Sequence, residues 1–167
     1  YRLICDAAAV RPDSSLLEIG CGWGGFASYA ARERGARVTA VTISAAQHEA
    51  ASRRIFHEGL ADRVSILQRD YRDLEGRFDA VASIEMFEAV GERYWPAFFA
   101  KVKDVLRPGG QAGLQIITIH DRLFQRYRRS ADFIQRHIFP GGMLPSPAAL
   151  RAQIRAAGLA WIDDRGY

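Results

Sequence analysis

Apolar residues in this chain fall into five short, nearly continuous runs, at 16–19, 38–43, 64–67, 78–84 and 111–119. Runs of that length without alternation suit strands covered on both faces. Between them, 26–34, 45–58 and 94–106 repeat apolar positions at helical spacing. Arg107-Pro108-Gly109-Gly110 predicts a stop after the last of these helices. The alternation of strand and helix predicts an open, mostly parallel α/β sheet. In such sheets ligands bind beyond the carboxyl ends of the strands. Residues 1–7 enter in mid-pattern, apolar on one face like a helix already under way, and residues 159–167 read as the start of a further strand. With no initiator Met, the expectation is one domain, 1–167, that is a fragment of a longer chain.

The stretch SIEMFEAVG, 83–91, directly follows the fourth strand and sets Glu85 and Glu88 among Ile84, Met86, Phe87, Ala89 and Val90. Carboxylates are rarely buried without a partner. Two acids at the mouth of a sheet therefore ask for a chemical reason. For Glu88 the plain alternative is a helix-start carboxylate complementing the dipole; Glu85 either lies beside a bound ligand or is a capping acid, and the cap is preferred.

The first strand runs into LLEIGCGWGG, where Gly20, Gly22 and Gly25 match GxGxxG. That spacing alone also describes a dinucleotide fingerprint. Two features separate the readings. Glu18 precedes Gly20 by two positions, where a carboxylate can reach the ammonium of an amino-acid-bearing ligand. The second strand ends Val41-Thr42-Ile43-Ser44, without the acid that a nicotinamide cofactor's ribose asks for. S-adenosylmethionine (SAM) is thus favoured over NAD. Ser44-Ala45-Ala46-Gln47 is a capping box, and Gln47 can equally reach ribose. Asp70, closing the third strand, can accept from an adenine amino group, with Tyr71 packing on the ring. A polar strand end with a surface tyrosine is the alternative.

The ordered set of glycine loop, VTISAAQ, RDYRDL, SIEMFEAVG, LRPGG and DFIQRHIFPGGMLPS resembles the cyclopropane-fatty-acyl-phospholipid synthase family, which includes the mycolic acid cyclopropane synthases. The resemblance runs from about Leu3 to Gly158. It implies a Rossmann-like class I SAM-dependent methyltransferase sheet with helices on both faces. It also implies transfer of the SAM methyl to the double bond of an unsaturated phospholipid acyl chain. Carried over by position, Gly20, Cys21, Gly22, Trp23 and Gly24 would line SAM, Thr42, Ile43 and Gln47 would meet ribose and adenosine, and Asp70 and Tyr71 the adenine. The family holds a bicarbonate ion as base. Glu88 and the backbone of Ile84 match its site, and Gln115 stands where many members have histidine. Many members also read FEHxG where this chain has Phe87-Glu88-Ala89-Val90-Gly91. These departures resemble a branch with plant cyclopropane synthases and methyltransferases acting on oleoyl chains, so the product is open between a ring and a methylene or methyl branch. Phe87, Tyr94, Phe133 and Phe139 are expected in part as walls of an acyl tunnel, in part as core.

Composition narrows the rest. Two cysteines, Cys5 and Cys21, with no CxxC, argue against a disulfide framework or a zinc site and fit a reducing cytoplasm. No metal is expected. No run reaches the roughly 18 apolar residues of a membrane span, and no signal peptide is visible. Net charge is +4, with Arg122, Arg126, Arg128, Arg129, Arg136 and His137 in one stretch. That stretch is either a solvated helix face or a contact with anionic headgroups; no nucleic-acid motif accompanies it. The expectation is a cytoplasmic enzyme, peripheral to the inner face of the membrane, with room for a homodimer. A small-molecule N-methyltransferase and a non-catalytic SAM- or lipid-binding module are the alternatives.

Overall fold

A computed structural model describes residues 1–129 and 142–166. Its elements, in order, are α1 (Arg2–Ala7), β1 (Ser15–Ile19), α2 (Gly25–Arg34), β2 (Arg37–Thr42), α3 (Ala45–His57), β3 (Val64–Gln68), β4 (Phe78–Ile84), α4 (Trp95–Val105), β5 (Leu106–Gln115), α5 (Asp121–Arg129) and α6 (Pro147–Ala156). The chain divides into two compact units, Tyr1–Ile84 with Asp104–Gln115, and Glu85–Lys103 with Ile116–Tyr167.

The first unit is a five-stranded sheet in the order β3-β2-β1-β4-β5, every pairing parallel. Chain order moves outward from β1 to β3 and then crosses back to β4 on the other side of β1, so the switch point lies between β1 and β4. That is where an open α/β sheet leaves a crevice at its carboxyl edge. The fold is the α/β class expected from the alternation of runs. Leu16, Leu17 and Ile19 of β1 are fully buried, as are Val81 of β4 and Ala40 and Val41 of β2. Small residues let helices approach: Ala27, Ala30 and Ala31 of α2 join the core beside Val38 and Ala40. At Gly113, an added Cβ would lie 2.6 Å from the Ile4 carbonyl of α1, so only glycine fits that face of β5.

Two boundaries differ from expectation. Arg107-Pro108-Gly109-Gly110 does end α4, at Val105, but the same residues already belong to β5. A register irregularity between Phe78 and Ala80 absorbs the extra residues, the way a bulge does. At the other end β5 stops at Gln115, and residues 116–119 are not strand. Residues 159–166, expected to begin a strand, pair with no other strand among the described residues. Arg151 of α6 bonds Asp164 at 3.2 Å and stacks over Trp161 at 4.9 Å.

The second unit is built on aromatic packing. Phe87 sits 5.0 Å from Phe98, 5.3 Å from Phe99 and 5.5 Å from Trp95, centroid to centroid. Trp95 stacks on Phe124 of α5, and its indole N–H donates to the Val90 carbonyl at 3.0 Å. Ring pairs at these spacings add about 0.5–1.5 kcal/mol each beyond area burial. Phe87, buried among these rings, is therefore packed as core. Tyr94 is exposed and covered by the Arg93 guanidinium, 4.4 Å from its ring. Phe133, Phe139, Arg136 and His137 lie outside the described residues.

Candidate active site

The glycine loop is pinned to its neighbours by backbone. Gly20 and Cys21 N–H both donate to the Val41 carbonyl at the end of β2, at 3.0 and 2.9 Å. Ser83 Oγ of β4 donates to the Ile19 carbonyl at 2.8 Å. Gly20, Gly22 and Gly24 all take left-handed φ, at 85°, 50° and 79°, which L side chains resist. The latter two differ in surroundings. A Cβ at Gly24 would meet the Ala51 Cβ of α3 at 3.0 Å, while at Gly22 it would meet nothing within 4 Å. Gly24 thus serves close packing of α2 on α3. Gly22 faces open space, where a ligand can approach the backbone.

Beneath this loop lies Glu18, between Ala40 of β2 and Ala82 of β4 in the sheet register. It is only 2% exposed. The Ala27 N–H donates to its carboxylate, and burial outweighs that help, pushing its pKa up to about 8. Its second oxygen, Oε2, has no partner among the described residues. A buried orphan oxygen costs free energy unless a ligand satisfies it. Two large apolar side chains of the same unit point outward: Trp23 is 61% exposed and Ile43 75%. Cys21 is buried, and desolvation, reinforced by Glu18, pushes its thiol up to about 12.

At the end of β2 the capping box forms only by half. The Gln47 N–H donates to Ser44 Oγ at 3.3 Å. The Ser44 N–H, however, donates to Thr42 Oγ1 at 3.1 Å, and Thr42 Oγ1 in turn donates to Gln47 Oε1 at 2.7 Å. The Gln47 side chain is thereby held by Thr42, with its amide nitrogen left to donate. Asp70 caps the turn 71–73 by accepting the Arg72 N–H at 2.9 Å, and binds the Arg72 guanidinium through both oxygens, at 3.0 and 2.6 Å. That guanidinium holds its carboxyl below the usual range. Tyr71 is half-buried.

Ile84 and Gln115 end β4 and β5 directly opposite each other. Glu85, next in the chain, has φ +50° and is exposed. Met86, not Glu85, precedes the turn Phe87–Ala89, and no side chain caps it. The helix-capping role expected for Glu85 is therefore absent. A non-glycine left-handed residue at the edge of an α/β sheet is the kind of strain that gathers at functional sites.

Glu88 lies in that turn and is 1% exposed. The Ile117 N–H donates to its Oε1 at 2.5 Å, and the Met143 N–H to its backbone carbonyl at 3.1 Å. Oε2 is without a partner among the described residues. Burial raises its pKa above the ordinary carboxylate value; the N–H groups of Ile117 and Glu88 oppose that, and Glu85 adds to it. Nothing in the sequence announces Ile117 or Met143 as supports, since they act through backbone across 29 residues in the first case. Ala27, which supports Glu18 in the same way, was equally silent. Among the described residues no cluster of three or more His, Cys, Asp or Glu could hold a metal.

Residues 1–165 match the family described as mycolic acid cyclopropane synthetase. The chain belongs to that family. Tuberculostearic acid methyltransferase UfaA1 of Mycobacterium tuberculosis is 44% identical over 147 residues, 88% of this chain and 34% of that protein. Cyclopropane-fatty-acyl-phospholipid synthase of Escherichia coli K12 is 40% identical over 146 residues, 87% of this chain and 36% of that one. The chain thus spans about a third of these relatives' length. Among solved structures, mycolic acid cyclopropane synthase CmaA1 complexed with SAH and CTAB superposes with a TM-score of 0.84 at 26% identity, over 93% of this chain and 58% of that one. The sheet is that of class I SAM-dependent methyltransferases.

Proposed function

We propose that this chain is the SAM-binding part of an enzyme that transfers the SAM methyl to the double bond of unsaturated phospholipid acyl chains at a membrane surface, as a cytoplasmic, peripheral protein. The observation that carries the reading is the orphan oxygen of Glu18, buried under a loop of left-handed glycines with Trp23 and Ile43 exposed beside it. An α-ammonium on Glu18 Oε2 satisfies that oxygen. Gly20, Cys21, Gly22 and Gly24 give backbone approach, Thr42 sets Gln47 towards ribose, and Ile43, Asp70 and Tyr71 receive adenosine. Bound there, SAM supplies an electrophilic methyl group.

An alkene is a weak nucleophile, and methyl addition leaves a cation on the acyl chain. The residues around the acceptor must exclude water and remove one proton. Glu88 is suited to proton removal. Its backbone is fixed by Met143, one oxygen by Ile117, and the other oxygen stands ready for a base. Bicarbonate is the proposed base, with Ile84 and Gln115 as its further contacts, on the strength of the family resemblance. Gln115 donates and accepts but carries no charge near neutral pH. The raised proton affinity of Glu88 makes it a better proton acceptor than an ordinary carboxylate.

The test is incubation of the full-length protein with methyl-trideuterated SAM and dioleoyl phospholipid vesicles, followed by mass spectrometry of the acyl chains. Two retained deuteriums establish proton loss from the added methyl, a ring or methylene product. Three place the loss elsewhere. Unlabelled lipid, with SAM demonstrably bound, overturns the reading in favour of a small-molecule acceptor.

A further inference from the structure

We infer that α5 is the docking face for an anionic phospholipid bilayer, which makes the enzyme selective for membranes that carry negative headgroups. The inference rests on the acyl-lipid reading for its purpose, though not for its measurement. Helix α5 has the sequence DRLFQRYRR, four arginines against one aspartate, in a chain whose whole net charge is +4. Its burial is one-sided. Phe124 and Tyr127 face inward, the first stacked on Trp95 and the second bonded through its hydroxyl to the Leu144 N–H. At 3.6 residues per turn, Arg122, Gln125, Arg126 and Arg129 then form one stripe on the opposite side, and all four are exposed.

The helix's acid, Asp121, falls on the flank with Arg128 rather than in this stripe. Asp121 Oδ1 accepts the Ala148 N–H at the start of α6, at 3.0 Å. The one arginine on the flank, Arg128, is held by Glu92 at 2.7 Å. The guanidinium groups of the stripe thus lie on the exposed side of α5. Apolar side chains stand out near it in sequence: Leu123 is 45% exposed and Ile117 46%. Arginines with outward aliphatic residues are what an interfacial helix presents to a charged bilayer. The same unit holds Glu88, tied through Ile117 to the segment that leads into α5. No helix among the described residues is long and apolar enough to cross a membrane, so attachment through α5 is attachment at the surface.

The experiment is flotation of the full-length protein with vesicles of dioleoyl phosphatidylglycerol, or of dioleoyl phosphatidylcholine alone. The wild type is compared with Arg122→Glu/Arg126→Glu/Arg129→Glu, with the neutral triple Arg→Gln variant, and with Leu123→Ser. Arg128 is left in place to keep its pair with Glu92. Each basic residue near an anionic surface contributes on the order of a fivefold affinity gain, so the Gln variant is expected to lose about 100-fold on phosphatidylglycerol and the Glu variant more. Leu123→Ser is expected to lose less than tenfold. Wild-type binding should collapse as salt is raised. Matched thermal unfolding shows that the variants fold, and the Gln variant serves if the Glu variant does not. Methyl transfer to oleoyl lipid dispersed in neutral detergent should be unchanged in all variants. Equal binding of wild type and folded Gln variant to phosphatidylglycerol overturns the inference. So does a wild type indifferent to vesicles that instead binds an acidic acyl-carrying protein through these arginines. If vesicle binding responds as expected but neither protein labels any lipid, the docking face stands and only the proposed reaction falls.

Discussion

Glu18 and Glu88 are both almost wholly buried, each with one oxygen bonded by a backbone N–H and one oxygen orphaned. They are held differently. Glu18 is part of a strand, locked between Ala40 and Ala82 by the sheet's register. Glu88 sits in a single turn over a bed of aromatic rings, supported by the backbone of residues far along the chain. A carboxylate in a rigid strand suits a fixed cationic partner. One in a turn, with its proton affinity raised, suits a proton that must come and go. The difference fits the proposed roles, binding for one acid and proton handling for the other.

The largest effect should come from the turn. Glu88→Gln keeps the shape and the bond from Ile117 but removes the carboxylate that would hold the base and take up its proton, so turnover of labelled SAM into lipid should fall about 10²–10⁴-fold with SAM affinity nearly unchanged. Next, Glu18→Gln should weaken SAM binding about 100-fold, as expected when one partner of a buried charge pair is lost; isothermal titration reads this directly. The loop separates packing from ligand approach. Gly24→Ala, at φ 79° and against Ala51, should cost about 1–3 kcal/mol of stability, seen in thermal unfolding. Gly22→Ala, into open space, should unfold closer to wild type and lose SAM affinity instead.

The smallest effect is in pH. Glu18 rises from 4.5 to about 8 on folding, so between those values the folded chain holds a proton that the unfolded chain has released. Its contribution to stability is complete below the unfolded pKa and is lost as pH rises towards 8. Glu88 is raised too and acts in the same direction. Unfolding of Glu18→Gln should therefore show a shallower loss of stability across this window, and a pairing ammonium should drive a proton off Glu18. In buffers of different ionisation enthalpy near pH 7, SAM binding should release close to one proton in the wild type and none in Glu18→Gln.

The sheet was legible because its strands are continuous apolar runs and its loop glycines have a conformational reason. Glu18 was legible from its spacing to Gly20, and Glu88 from the incongruity of an acid in an apolar run. What escaped was carried by backbone: the N–H groups of Ala27 and Ile117, and the Met143 N–H on the Glu88 carbonyl, leave no mark in side-chain identity. The Thr42–Gln47 bond replaced half of a capping box that the spacing alone predicts. Glu85 misled because an acid before a turn normally caps it, whereas here a left-handed backbone turns the residue outward. Phe87 stayed open in the sequence because aromatic residues near an acid look the same whether they wall a tunnel or fill a core.

The central claim is the division of work between the two buried acids. SAM affinity measured by titration in wild type, Glu18→Gln and Glu88→Gln tests it most directly. The account predicts wild-type affinity in Glu88→Gln and about a 100-fold loss in Glu18→Gln. Equal affinity in wild type and a folded Glu18→Gln would contradict it, because the orphan oxygen beneath the glycine loop would then have no ligand to meet.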